Sequence, residues 1–196
     1  DIKEYCMDTR YVRVDGKPVV IVYNPGQIPD AKDVFDSWRK YAIEQGIGEI
    51  QIWTCQTANN TAERLGILDA IDAEVEFPPH NMWWDNITVN DLELGRYSAG
   101  IFNYHKLVKG AINAIRQQRG VDMAKPLYRG CMMGWDNAAR RENGWTTYIA
   151  YSLKDFYRWI SEICNDTRQR NLEDNRYFFV NAWNEWAEGT YLEPDE

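Results

Sequence analysis

Histidine is scarce, with only His80 and His105 in 196 residues. The four cysteines, Cys6, Cys55, Cys131 and Cys164, are far apart and form no C-x-x-C pair. A zinc centre would have to be gathered from scattered residues, so no metal site is expected, and the thiols are expected to be free. Positive charge is also short: 22 Lys and Arg stand against 30 Asp and Glu, a formal charge of −8. That balance excludes the basic face that a phosphate backbone requires, so nucleic acid is not an expected partner. No apolar run approaches the ~18 residues of a membrane span. No basic n-region followed by an apolar h-region is visible; the location stays unassigned, with the cytoplasm favoured and a periplasmic or secreted one open. Neither a G-x-G-x-x-G following the first strand nor a P-loop occurs, which removes the common nucleotide cradles.

Aromatic residues, by contrast, are abundant: nine Trp, 12 Tyr and 6 Phe, in a chain that is 44% hydrophobic. Such a chain is globular rather than disordered. Several of the rings lie in polar, loop-like stretches, such as "NMWWDN" (81–86) and "WNEWAEG" (183–189). They fit either a bulky core or a sugar site, where C–H faces pack on rings and hydroxyls seek amides and carboxylates.

Short β-like runs alternate with helical patterns. The expected strands are 17–25, 48–55, 72–79, 125–134 and 176–183. Helix spacing recurs over 29–46, with Val34, Phe35, Trp38, Tyr41 and Ala42 on one face, and over 104–120, with Tyr104, Leu107, Val108, Ala111, Ile112 and Ile115. A third helix is expected over 152–164, facing inward through Leu153, Phe156, Tyr157, Ile160 and Ile163, and a short one over 61–71. A long polar loop is expected from His80 to about Asn103. Strand–helix repetition without a nucleotide fingerprint points to an α/β fold of the (β/α)8 TIM-barrel type. About five of the eight units are visible, and the chain ends soon after the last strand, so it is expected to be a single domain forming part of a barrel.

In such a barrel the chemistry sits at the C-terminal ends of the strands. Those ends carry Tyr23, Glu76, His80, the "GWDNAAR" group with Trp135, Asp136, Asn137 and Arg140, and the "WNEWAE" segment with Trp183, Asn184, Glu185, Trp186 and Glu188. Glu185 and Glu188, three apart, can point into one cleft. Whichever lies nearer the indoles would have its pKa raised, yielding the unequal acid and base that glycoside cleavage uses. The competing reading is that one Glu caps a helix or pairs with an Arg. Arg140 beside Asp136 reads either as a salt bridge or as part of a hydroxyl-gripping group. His80 is a hydrogen-bonded loop residue or a proton shuttle, and Glu76 is a substrate ligand or a buried ion-pair member. Tyr23 stays equally open.

The stretches "VDGKPVVIVYNPGQIPD", "EFPPH", "GWDNAARR" and "NAWNEWAEGTYLEPD", in this order, resemble the WbsX-type glycosyltransferase-like domain. That domain is related to glycoside hydrolase family 99, the endo-acting α-mannosidases and mannanases. The resemblance covers essentially the whole chain and corresponds to the C-terminal part of the family domain. It implies a (β/α)8 barrel acting on an oligo- or polysaccharide without metal or organic cofactor. Glu185 would act as the base on the sugar 2-hydroxyl and Glu188 as the general acid/base. Ala187 stands where many of those hydrolases carry His. The resemblance leaves open a glycosyltransferase of surface-polysaccharide (O-antigen, lipopolysaccharide) assembly in bacteria and a non-catalytic sugar-binding piece. With about five of eight units visible, self-association or pairing with the remaining barrel half also stays open.

Overall fold

A computed structural model of the protein describes residues 2–58, 60–82, 99–171 and 175–194. The Trp83–Trp84 part of the aromatic loop lies outside them. In chain order the elements are α1 (Lys3–Met7), β1 (Arg13–Val14), β2 (Lys17–Val22), α2 (Ala31–Glu44), β3 (Gln51–Gln56), β4 (Ala73–Glu76), β5 (Ala99–Asn103) and α3 (Tyr104–Gln117). They continue with β6 (Leu127–Tyr128), β7 (Gly130–Cys131), β8 (Trp145–Ile149), α4 (Leu153–Arg170), β9 (Phe179–Val180), β10 (Asn184–Glu185) and β11 (Thr190–Tyr191).

The main sheet has the order β1-β2-β3-β4-β6 and curls as a half-barrel; a full barrel is not present among the described residues. Its β2–β3, β3–β4 and β4–β6 pairings are parallel. β1 adds an antiparallel edge through a tight turn in which Asp15 and Gly16 both take positive φ, the geometry that matches strand twist. The central β3 alternates as a two-faced buried strand must. Ile52 packs outward with Phe35 of α2, whereas Trp53 and Cys55 pack inward with Val75 and Tyr128. The Trp53 and Tyr128 rings stack at 4.0 Å.

The helix expected over 104–120 forms, and the six apolar residues of its expected face are all buried. Asn103 starts it by accepting a hydrogen bond from the Lys106 N–H at 3.0 Å. The helix expected over 152–164 extends to Arg170, and its face is corrected: Leu153 and Tyr157 are exposed, while Asp155, Trp159, Glu162, Ile163 and Asp166 are buried. The buried charges have partners elsewhere in the chain. Glu162 takes Arg116 and Arg119, and Asp166 takes Arg129 and Arg170. No helix forms over 61–71; Gly66 turns the chain at φ +66° and only a 3-10 turn, Leu68–Ala70, follows. The strand expected over 125–134 splits at Arg129, so that β6 pairs with β4 and β7 with β9. Residues 99–103, expected as loop, form β5, which pairs parallel with β8 along five positions. All four cysteines are free.

Candidate active site

Parallel pairing brings the C-terminal ends of β2, β3, β4 and β6 to one end of the sheet. β9, parallel to β7, delivers the C-terminal segment. Asn181 anchors that segment: its N–H donates to the Cys131 carbonyl at 2.8 Å, and its side-chain amide to the Pro78 carbonyl at 2.7 Å. The chain then folds back on itself as the β10–β11 hairpin, with Asn184 opposite Tyr191 and Glu185 opposite Thr190. Between them Trp186–Glu188 make one 3-10 turn, closed by Gly189 at φ +56°. A side chain at 189 would meet Asp136 at 3.1 Å, so glycine lets the turn lie directly on that residue. The Asp136 N–H completes the join by donating to the Glu188 carbonyl at 2.7 Å.

This geometry sets the two carboxylates around one cation. Arg140 Nη1 lies 2.8 Å from Glu188 Oε1 and 3.7 Å from Glu185 Oε1. The two oxygens are therefore at most about 6.5 Å apart, so both carboxylates face one space. Burial pushes Glu188 above the ordinary carboxylate range, Arg140 opposes that, and the charge of Glu185 adds to it. The pair is thus unequal in its surroundings, with Glu188 the member biased toward holding a proton. Arg140 pairs with both glutamates, so the Arg-pairing alternative is realised together with the closeness of the carboxylates.

Tyr23 and His80 join the same region. Burial and the charge of Glu188 hold the Tyr23 hydroxyl protonated, and its ring meets Phe77 edge-on at 5.0 Å. Phe77 in turn lies 6.1 Å from the His80 ring. Burial, then the charge of Arg141, lowers the His80 pKa and keeps the imidazole neutral, and its Nδ1 is buried without a hydrogen-bond partner among the described residues. Arg141 also acts on Glu188; sequence reasoning missed it, although its place beside Arg140 was a signal. Trp183 and Asn184 are exposed at the hairpin. Trp186 stacks on Tyr191 at 3.9 Å and donates its indole N–H to Glu193 at 2.9 Å, so it braces the hairpin.

Three of the expected substrate contacts are tied into the surrounding fold. Both Glu76 oxygens are engaged, one by Arg129 at 2.7 Å and the other by the Gly130 N–H at 3.1 Å, making Glu76 the buried ion-pair member. Asn137 is buried and pins β8, its carbonyl oxygen accepting from the Thr146 N–H at 2.7 Å. Trp135 is 7% exposed and packs in the core with Tyr148 and Trp159. Among the described residues no group of three His, Cys, Asp or Glu is arranged to hold a metal ion, and no helix is long and apolar enough to cross a membrane.

The fold is that of glycoside-hydrolase-like proteins. A solved structure described as a glycoside hydrolase-like protein superposes with a TM-score of 0.64 at 21% identity, over 98% of this chain and 51% of that one. The chain belongs to the WbsX glycosyltransferase family, a carbohydrate-active enzyme family: the model described as "Glycosyltransferase WbsX" matches residues 1–196. Two proteins named "Uncharacterized protein WxcX", from two strains of Xanthomonas campestris pv. campestris, are 31% and 30% identical over 196 residues. The match takes in 99% of this chain and 27% of each of them, so the chain spans about a quarter of their length. A family 99 endo-alpha-mannosidase from Bacteroides thetaiotaomicron gives a TM-score of 0.48 at 12% identity, over 98% of this chain and 49% of that one.

Proposed function

We propose that residues 1–196 form a single domain, the C-terminal portion of a (β/α)8 barrel, whose complete form acts on α-mannoside-type glycosidic bonds within an oligo- or polysaccharide. One observation carries this reading: two carboxylates in unequal surroundings share Arg140 at the strand ends, and Glu188 is the one pushed up by burial. Glu188 donates its proton to the leaving glycosidic oxygen as the C–O bond breaks. Glu185 takes the proton of the sugar 2-hydroxyl as that oxygen attacks the anomeric carbon, forming a 1,2-anhydro sugar. Glu188, now a carboxylate, takes a proton from water as the water opens that ring, and Glu185 returns its proton to O2. The configuration is retained without a sugar–enzyme bond. Tyr23 serves as a neutral donor, and Trp183 and Asn184 face the substrate from the exposed hairpin.

In the complete protein, Glu185→Gln and Glu188→Gln are each expected to abolish turnover of an oligosaccharide while leaving its binding measurable. Unchanged turnover in either variant overturns the roles. A second reading, transfer of a sugar in surface-polysaccharide assembly, is favoured by the family's own description as a glycosyltransferase. Product masses from a glycan panel incubated with and without nucleotide sugars separate the two, because only transfer requires the nucleotide sugar.

A further inference from the structure

A second cleft adjoins the carboxylates. It is a cavity of about 700 Å³ between the β8–α4 connection and the β10–β11 hairpin, and Glu185, Glu188 and Arg140 do not line it. Its walls include Trp135, Tyr148, Tyr151 and Leu153, and the carboxyl-bearing Asp136 and Glu193 also line it. Two observations mark it as more than a surface dent. The Trp135 side chain is over nine-tenths buried, and its indole N–H has no hydrogen-bond partner among the described residues, a vacancy that ordinarily costs about 1–3 kcal/mol. Tyr151 and Leu153, at the mouth, are 63% and 74% exposed, so both present apolar surface to whatever enters.

The cleft adjoins the carboxylate site across one shared wall. Gly189 lines the cleft and directly follows Glu188, and Asp136 lines it while its N–H holds the Glu188 carbonyl. A chain molecule lying across Glu188 therefore meets this cleft next. Aromatic walls beside carboxylates suit a pyranose, whose C–H face packs on a ring and whose hydroxyls donate to carboxylates. We infer that this cleft is a subsite for a further sugar unit of the same oligosaccharide, with Tyr151 and Leu153 as the length-sensing contacts. The inference rests on the proposed glycan activity. It gives the substrate class a dimension, a chain long enough to reach from Glu188 past Gly189.

The test uses the complete protein and α-linked manno-oligosaccharides from disaccharide to hexasaccharide. Binding is measured by calorimetry in a Glu188→Gln background, turnover is followed in the parent, and fluorotryptophan labelling is read by fluorine NMR, with Trp135→Phe assigning the signal. Because Tyr151 and Leu153 are exposed, Tyr151→Ala and Leu153→Asn leave the core intact. The longer oligosaccharides are expected to shift the Trp135 signal and to lose about tenfold in affinity in either variant, while the disaccharide loses nothing. If the oligosaccharides are turned over but the Trp135 signal stays put and length dependence survives both substitutions, the subsite is overturned and the carboxylate roles stand. The cleft would then belong to another occupant, such as a protein segment. If no oligosaccharide is turned over or moves that signal, both readings fall. A moved signal without turnover keeps the cleft and removes the catalytic roles.

Discussion

Arg140 offers the sharpest test of the site's electrostatics. Replacing it by glutamine keeps a hydrogen-bonding side chain but removes the positive charge that touches both carboxylates. At 2.8 Å a pair of unit charges is worth about 1.5 kcal/mol in water and about 6 kcal/mol at an effective dielectric constant near 20. Arg140 is 51% exposed and Glu188 25% exposed, so solvent keeps the pair near the lower figure, and measured exposed pairs give about 1 kcal/mol or less. At about 1.4 kcal/mol per pH unit, Arg140→Gln should raise the Glu188 pKa by roughly 0.5–1 unit. The direction is fixed by the site: burial raises Glu188 and Arg140 holds it back, so removing Arg140 lets it rise further. The protonated acid then survives to higher pH, and the alkaline limb of the kcat/KM profile moves up by the same amount. Direct titration of the Glu188 carboxyl by carbon-13 NMR checks the shift without reference to activity. Added salt should move the parent protein part of the way in the same direction. A titration midpoint that stays fixed or falls refutes the argument.

Two substitutions probe the frame around the site. Arg129 is 2% exposed and bonded to Glu76 and Asp166, so Arg129→Met leaves Glu76 without its cation and Asp166 with Arg170 alone. The expected loss is about 3–5 kcal/mol, seen as a melting temperature lower by on the order of 10 °C in calorimetry, and an unchanged melting temperature refutes the ion-pair role. Gly189→Ala places a carbon 3.1 Å from Asp136 at a positive φ, whereas Gly120→Ala meets the same backbone preference with nothing within 4 Å. Both should lose about 1–2 kcal/mol of stability, but only Gly189→Ala should also lose turnover, because it separates Asp136 from Glu188. Equal turnover in the two variants contradicts the proposed join.

Local periodicity was enough to read α3 from the sequence, because Tyr104, Leu107, Val108, Ala111, Ile112 and Ile115 repeat at helix spacing and bury as one stripe. The strand β3, and the concentration of Tyr23, Arg140, Glu185 and Glu188 just past strands, were legible for the same reason: each is a pattern within a few residues. The β5–β8 pair was not, since Ala99–Asn103 and Trp145–Ile149 carry weak apolar signals and become a sheet only by meeting each other. The face of α4 was misread because its inward carboxylates look like surface residues until Arg116, Arg119 and Arg129 arrive from other elements. Glu76 was left between two roles by its residue type, and Arg129 decided it. By itself the sequence determined the locally patterned elements, such as α2, α3 and β3, and which chemical groups stand at the strand ends, because propensity and spacing act locally. Only the tertiary structure decided which charge meets which: Coulomb energy and desolvation depend on distance and burial, and those are set by contacts between segments far apart in the chain.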